Sequence, residues 1–193
     1  MSYHLYQTEG IVLGSANIGE SNRYYHLLTK DLGLVTAFAQ GVRELKSKLR
    51  FHMEPFAHLN TELVRGKEKW RLVSVSPKNP IPTLTSEQVA IFSNIAATIR
   101  RLVHGEEKNE KLFLEMENLI KFLREENLSS DEKNNLELTI VARILHSLGY
   151  FAPSKDEIDF FERPLGREDI VFFKENRKEL LSRVNRALDE THL

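Results

Sequence analysis

One stretch of the chain concentrates positive charge. Gly41-Val42-Arg43-Glu44-Leu45-Lys46-Ser47-Lys48-Leu49-Arg50-Phe51 carries Arg43, Lys46, Lys48 and Arg50 against the single acid Glu44. Lysine and arginine at that density can neutralise nucleic-acid phosphates, and the counterions they free drive binding. Tyr24, Tyr25, Phe51 and Trp70 offer faces on which unpaired bases can stack. Arg23, Lys69 and Arg71 add charge on neighbouring segments, and the Lys69-Trp70-Arg71 alternation puts Trp70 on the opposite face from the two cations. Leu45 and Leu49, four apart, suit a short helical turn with one buried face and the cations outside. A solvated loop beside core aromatics is the other reading, and the residues alone leave both open.

Other reactive residue types are absent or badly spaced. The chain has no cysteine, which excludes disulfides, thiolate-bound zinc and thiol catalysis. No GxxxxGK[ST] phosphate cradle, GxSxG elbow or HExxH pair occurs, and Gly10, Gly14 and Gly19 do not fit GxGxxG. His52, Glu54 and His58 read as surface residues at a strand entrance, not as metal ligands. Asp156, Glu157, Asp159 and Glu162 read as a solvated acidic turn. These residues predict neither an enzyme nor a metal or other cofactor.

The elements that must position the basic stretch change in kind along the chain. The net charge of −1 over 193 residues divides unevenly: residues 1–82 hold 11 Lys and Arg against 7 Asp and Glu, and the remainder 16 against 21. Up to about residue 76 the pattern is that of strands. Ile11-Val12-Leu13, Arg23 to Thr29, Leu34 to Ala39, Phe56 to Val64 and Trp70 to Val75 are short, aromatic or β-branched runs separated by turn residues. They predict a small sandwich or barrel. The Tyr24/Tyr25 pair leaves the second strand's facing ambiguous by one residue.

Pro77, Pro80 and Pro82 then disfavour both ladder and helix, which places a border near residue 80 between a domain at 1–80 and another at 81–193. Beyond it the period becomes helical. Thr85-Ser86-Glu87-Gln88 has the capping-box pattern, and Phe92, Ile95, Ala96, Ile99 and Leu102 follow at helical spacing. A second stripe runs from Leu112 to Leu123. A third helix starts from a cap at Asp131 and ends at Gly149, and a last one carries Leu180, Val184 and Ala187. The opening residues carry no basic and apolar leader, and apolar runs fall far short of the ~20 residues that span a bilayer. A cytoplasmic protein without membrane contact is expected.

The order of these signals resembles the bacterial recombination mediator RecO family. The carriers are Ile11-Val12-Leu13, Gly19-Glu20-Ser21-Asn22-Arg23, Thr29, Gly33, Ala39-Gln40-Gly41, the basic loop around Ser47, and Glu54-Pro55. The resemblance implies an α+β chain of two domains, an N-terminal five-stranded OB-fold barrel followed by an all-α domain. It implies a DNA repair and recombination mediator that binds single- and double-stranded DNA and anneals strands. It implies RecR and single-strand-binding protein as partners and association with the bacterial nucleoid. It carries DNA binding to Arg23, Arg43, Lys46, Lys48 and Arg50. Lys111, Lys121 and Arg143 could line a groove for the single-strand-binding protein's tail on the helical half, though each reads first as an ordinary exposed helix residue; Leu148-Gly149-Tyr150 stands where relatives often have Leu-Gly-Tyr. Gln40 replaces a residue that is commonly basic, and the part after Phe151 is short and acidic. Two other classes remain expectations: an OB-fold adaptor that binds protein, and an RNA-binding module.

Overall fold

The computed structural model describes residues 4–67, 69–80 and 84–191. They form two compact units, one holding the barrel and one the helices. Beyond the proline-rich segment near residue 80, the chain returns once to the first unit, which includes Val103–Glu110.

The first unit is a closed OB-type barrel of β1 (Leu5–Ile18), β2 (Asn22–Thr29), β3 (Gly33–Ala39), β4 (His58–Arg65) and β5 (Trp70–Pro77), in the order β1-β2-β3-β5-β4. β1 is much longer than its apolar segment Ile11-Val12-Leu13, because it serves two partners. Leu5 to Ile11 pair with β4, and Gly10 to Ile18 pair with β2, with an irregularity between Val12 and Gly14 that turns the strand from one to the other. Gly10 sits where both ladders meet. A Cβ there would lie 3.3 Å from the Thr61 methyl, so this crossing favours glycine. β3 and β5 close the barrel in parallel, Ala37 opposite Trp70 and Phe38 opposite Arg71.

Alternation sorts the side chains. Tyr25, Leu27, Val35, Ala37, Leu59, Leu63, Trp70 and Leu72 fill the interior. The ambiguity at Tyr24/Tyr25 is thereby resolved: Tyr25 is 1% exposed, and Tyr24 lies on the outside. Burial pushes the Tyr25 phenol above its ordinary pKa, against the opposing pull of the Arg23 guanidinium.

Val103–Glu110 forms a strap on the barrel. The Trp70 indole Nε1 donates to Glu106 (2.7 Å), Arg65 pairs with the same carboxylate, and Lys108 lies 3.5 Å from Asp31. Gly33, at φ +70°, meets this strap so closely that a Cβ would fall 2.2 Å from the Glu107 carbonyl oxygen. Glycine is required there on both counts.

The second unit is all-helical: α1 (Ser86–Leu102), α2 (Glu110–Glu125), α3 (Ser130–Ser147), α4 (Ile158–Glu162), α5 (Arg167–Glu175) and α6 (Arg177–Glu190). Thr85 and Gln88 form the expected reciprocal cap on α1. The cap of α3 is Ser129, with Glu132 completing the box, and not Asp131. Gly149 ends α3 in the left-handed region at φ +83°, as the sequence predicts. α3 packs against α1, α5 and α6. The acidic segment after Phe151 is more built than a solvated turn: Phe151 stacks on Phe161, Phe161 meets Phe173 edge-on, and the 6%-exposed Glu157 binds Arg183 at 2.7 Å.

Arg143 is also not an exposed helix residue. It is 2% exposed and grips Glu115 with two hydrogen bonds, Nε to Oε2 at 2.6 Å and Nη2 to Oε1 at 2.8 Å. It also donates to the carbonyls of Phe160 and Arg163. These bonds fasten the α4 region to α2 and α3, so Arg143 is withdrawn from any docking surface. No helix among the described residues is long and apolar enough to cross a membrane.

Candidate nucleic-acid interface

The outer face of the barrel gathers aromatics and cations from three strands. Tyr24 on β2 lies opposite Phe38 on β3, and Phe38 lies opposite Arg71 on β5. All three have the outward parity that Tyr25, Ala37 and Trp70 lack. The Tyr24 and Phe38 rings are 5.5 Å apart and tilted by 60°. The Lys69 ammonium stands 4.5 Å from the Phe38 centroid and 5.7 Å from that of Tyr24. Its Nζ also donates to the Tyr24 hydroxyl at 3.4 Å. Arg71 Nη2 donates to the Gln40 side-chain oxygen Oε1 at 3.3 Å. A cation at position 40 would repel Arg71; Gln40 orients it. Arg71 also lines an open groove of about 800 Å³ with Arg65, Lys67, Val64 and Val73.

The basic loop is a separate feature at one end of this face. Its root is tied to the β1–β2 turn. Asn22 Oδ1 accepts from Gly41 N (2.8 Å), the Ser21 carbonyl from Arg43 N (3.0 Å), and the Gly19 carbonyl from Arg43 Nη1 (3.1 Å). The Gly19 to Asn22 segment therefore has a local purpose, to hold the loop's start. Val42, Leu49 and Met53 anchor the loop in or against the barrel core. Leu45 does not share this role: it is 85% exposed. Leu49 begins a single 3-10 turn, Leu49–Phe51. At the far end Phe56, at φ +73°, donates its N–H to the Val12 carbonyl at 3.1 Å and returns the chain to the barrel.

The structure places the expected binding residues in three groups. Lys69 and Arg71 join Tyr24 and Phe38 on the barrel face. Arg43, Lys46, Lys48 and Arg50 belong to the loop, with Lys46 3.1 Å from Glu44 while its side chain stays 87% exposed. A surface pair of that kind holds its charge only loosely. Arg23 stands apart, with the inward parity of Tyr25 at the barrel's end, and donates to Asn17 Oδ1 at 2.8 Å. Of the proposed stacking faces, Tyr25 and Trp70 are core and Tyr24 and Phe51 are not. Phe38 joins them as an outward face, as the alternation of Val35, Ala37 and Ala39 marks it. His52 and Glu54 do not converge on His58, which is 4% exposed and lies 3.0 Å from Glu9.

Closed five-strand topology with aromatics on the β2–β3 side is the arrangement with which OB-folds hold oligonucleotides. Residues 1–80 match the family model described as recombination protein O N terminal. This chain resembles RecO. The DNA repair protein RecO of Dehalococcoides mccartyi is 36% identical over 98 residues, which are 50% of this chain and 34% of that relative. The DNA repair protein RecO of Thermobifida fusca is 44% identical over 63 residues, 33% of this chain and 26% of the relative. The matched part thus spans about a third or less of these RecO proteins.

Proposed function

We propose that this protein acts in DNA repair and recombination as a RecO-like mediator, binding DNA on the barrel and bringing complementary strands together. The observation that carries the reading is the Tyr24–Phe38 pair flanked by Lys69 and Arg71. Stacking faces take unpaired bases whatever their sequence, and the adjoining cations take phosphates. Arg43, Lys46, Lys48 and Arg50 extend the positive surface and screen the charge of two strands as they approach. The helical unit serves as the docking side for a RecR-like partner and for a single-strand-binding protein; Lys121 is exposed there, whereas Lys111 is already held by Glu162 at 3.0 Å. Catalysis has no part in this reading, and the site of action is the bacterial cytoplasm, at the nucleoid.

The test is fluorescence anisotropy of labelled single- and double-stranded oligonucleotides at several salt concentrations. Binding with log–log slopes of about −2 to −3, as three or four phosphate contacts give, supports the reading. Annealing of complementary oligonucleotides is then measured directly. An absence of binding even at low salt overturns it in favour of a protein-binding adaptor.

A further inference from the structure

The basic loop exposes two large apolar side chains that the barrel face does not use. Leu45 is 85% exposed and Phe51 is 62% exposed. An isolated apolar residue on a surface needs no explanation. These two, however, share one loop with Arg43, Lys46, Lys48 and Arg50, and the loop's own anchoring turns them outward. Leu49 takes the inward position of the 3-10 turn, and at three residues per turn Phe51, two residues on, points about 120° away from it. The Arg50 guanidinium lies 4.8 Å from the Phe51 centroid, which restrains the ring and places a phosphate-seeking charge beside a stacking face. Both ends of the loop are fixed, by Asn22 and Ser21 at Gly41 to Arg43 and by the Phe56–Val12 bond.

We infer that Phe51 is a base-stacking contact on this loop. It would receive an unstacked nucleobase of a DNA strand whose phosphates the loop cations hold. This is a second strand contact, distinct from the Tyr24–Phe38 face on the ladder, and it rests on the DNA-binding reading above. The occupant is assigned from charge and shape together. Apolar wedges bordered by arginine and lysine insert between bases in many DNA-binding proteins, and a loop of four cations with Arg50 beside an exposed aromatic ring favours a polyanion with π faces.

The full chain provides a direct probe, because its single tryptophan, Trp70, is 4% exposed in the barrel. In Phe51→Trp, a single-stranded oligonucleotide should strongly quench the new fluorescence as the complex forms, with complex formation followed by anisotropy on the same sample. Phe51→Ala should weaken binding on the order of tenfold with an unchanged salt slope, since stacking releases no counterions. Phe51→Tyr should restore the affinity. An unquenched Trp at position 51 in a complex that anisotropy shows to be formed overturns the stacking contact and leaves the barrel-face reading intact. Wild-type protein that binds no oligonucleotide overturns both.

Discussion

The indole of Trp70 and the carboxylate of Glu106 are joined by a 2.7 Å hydrogen bond between residues 36 positions apart. Trp70 lies within the barrel core, 4% exposed, and its N–H finds its acceptor on the strap. Glu106 also pairs with Arg65, whose guanidinium stacks 5.0 Å above the Trp70 ring. One carboxylate thus satisfies a buried donor and a cation together.

Replacing Glu106 by Ala should therefore destabilise the barrel by about 1–3 kcal/mol, the cost of a buried donor left without a partner. Equilibrium denaturation followed by Trp70 fluorescence measures it. An unchanged midpoint would show that water replaces the carboxylate at no cost.

The loop cations and the barrel-face aromatics should separate in their salt response. On the proposed reading, Lys46→Ala and Lys48→Ala should each flatten the slope by about 0.7–0.9, with affinity falling alike for all sequences. Phe38→Ala should cost about 1–3 kcal/mol of single-strand binding while the slope stays put. Anisotropy titrations across salt report both, and a slope indifferent to Lys46 and Lys48 would take the loop out of phosphate binding.

In the helical unit, Arg143→Ala should cost about 3–5 kcal/mol, because it leaves Glu115 charged and unpaired in the interior. Arg143→Met, which fills the same space, should cost nearly as much while Glu115 remains. The double change Arg143→Met with Glu115→Leu should recover the part of the loss that comes from the unpaired Glu115, while the Phe160 and Arg163 carbonyls stay without their donor. Thermal melts of the single and double variants complete the cycle, and additive effects would rule out the coupling.

Acid should loosen the start of α3. Hydrogen bonds from the Ser129 backbone and hydroxyl, with Arg167, hold the Glu132 carboxyl at about 2, down from 4.5. A carboxyl whose pKa is depressed by folding stabilises the protein above its unfolded value. That contribution fades as pH falls from about 4.5 through about 2. Glu132→Gln should lower stability at neutral pH and show a flatter decline over this window. Melts of both proteins between pH 7 and pH 2 test this, and parallel curves would refute it.

Local pattern made much of this architecture legible. Five strands and the main helices follow from alternation and from helical stripes, and Lys69-Trp70-Arg71 announces one outward face of the site. What escaped depends on partners distant in sequence. The first half of β1, Leu5 to Glu9, is mostly polar and becomes a strand because β4 pairs with it some fifty residues later. Arg143 has the composition of a surface residue until Glu115, 28 positions earlier, is placed against it. In the loop, the spacing favours Leu45 with Leu49, but the barrel core takes Val42 and Met53, with Leu49 packed against it. Arg23 sits in a strand whose parity the neighbouring tyrosines obscured. α4 and α5 are too short to show a period and are held by ring contacts among Phe151, Phe160, Phe161, Phe172 and Phe173.

The strap also sets an order of events during synthesis. All five strands leave the ribosome before α1, yet the residue that stoppers the Trp70 end comes only after that helix. A nascent chain that has emerged no further than Pro77 holds every ladder partner and still has an open-ended barrel. Completion waits for Glu106, by which time the first helix of the second unit is already outside. Maturation of the barrel unit is thus timed by the emergence of α1, and fragments cut at the proline-rich segment lack the Glu106 partner of Trp70.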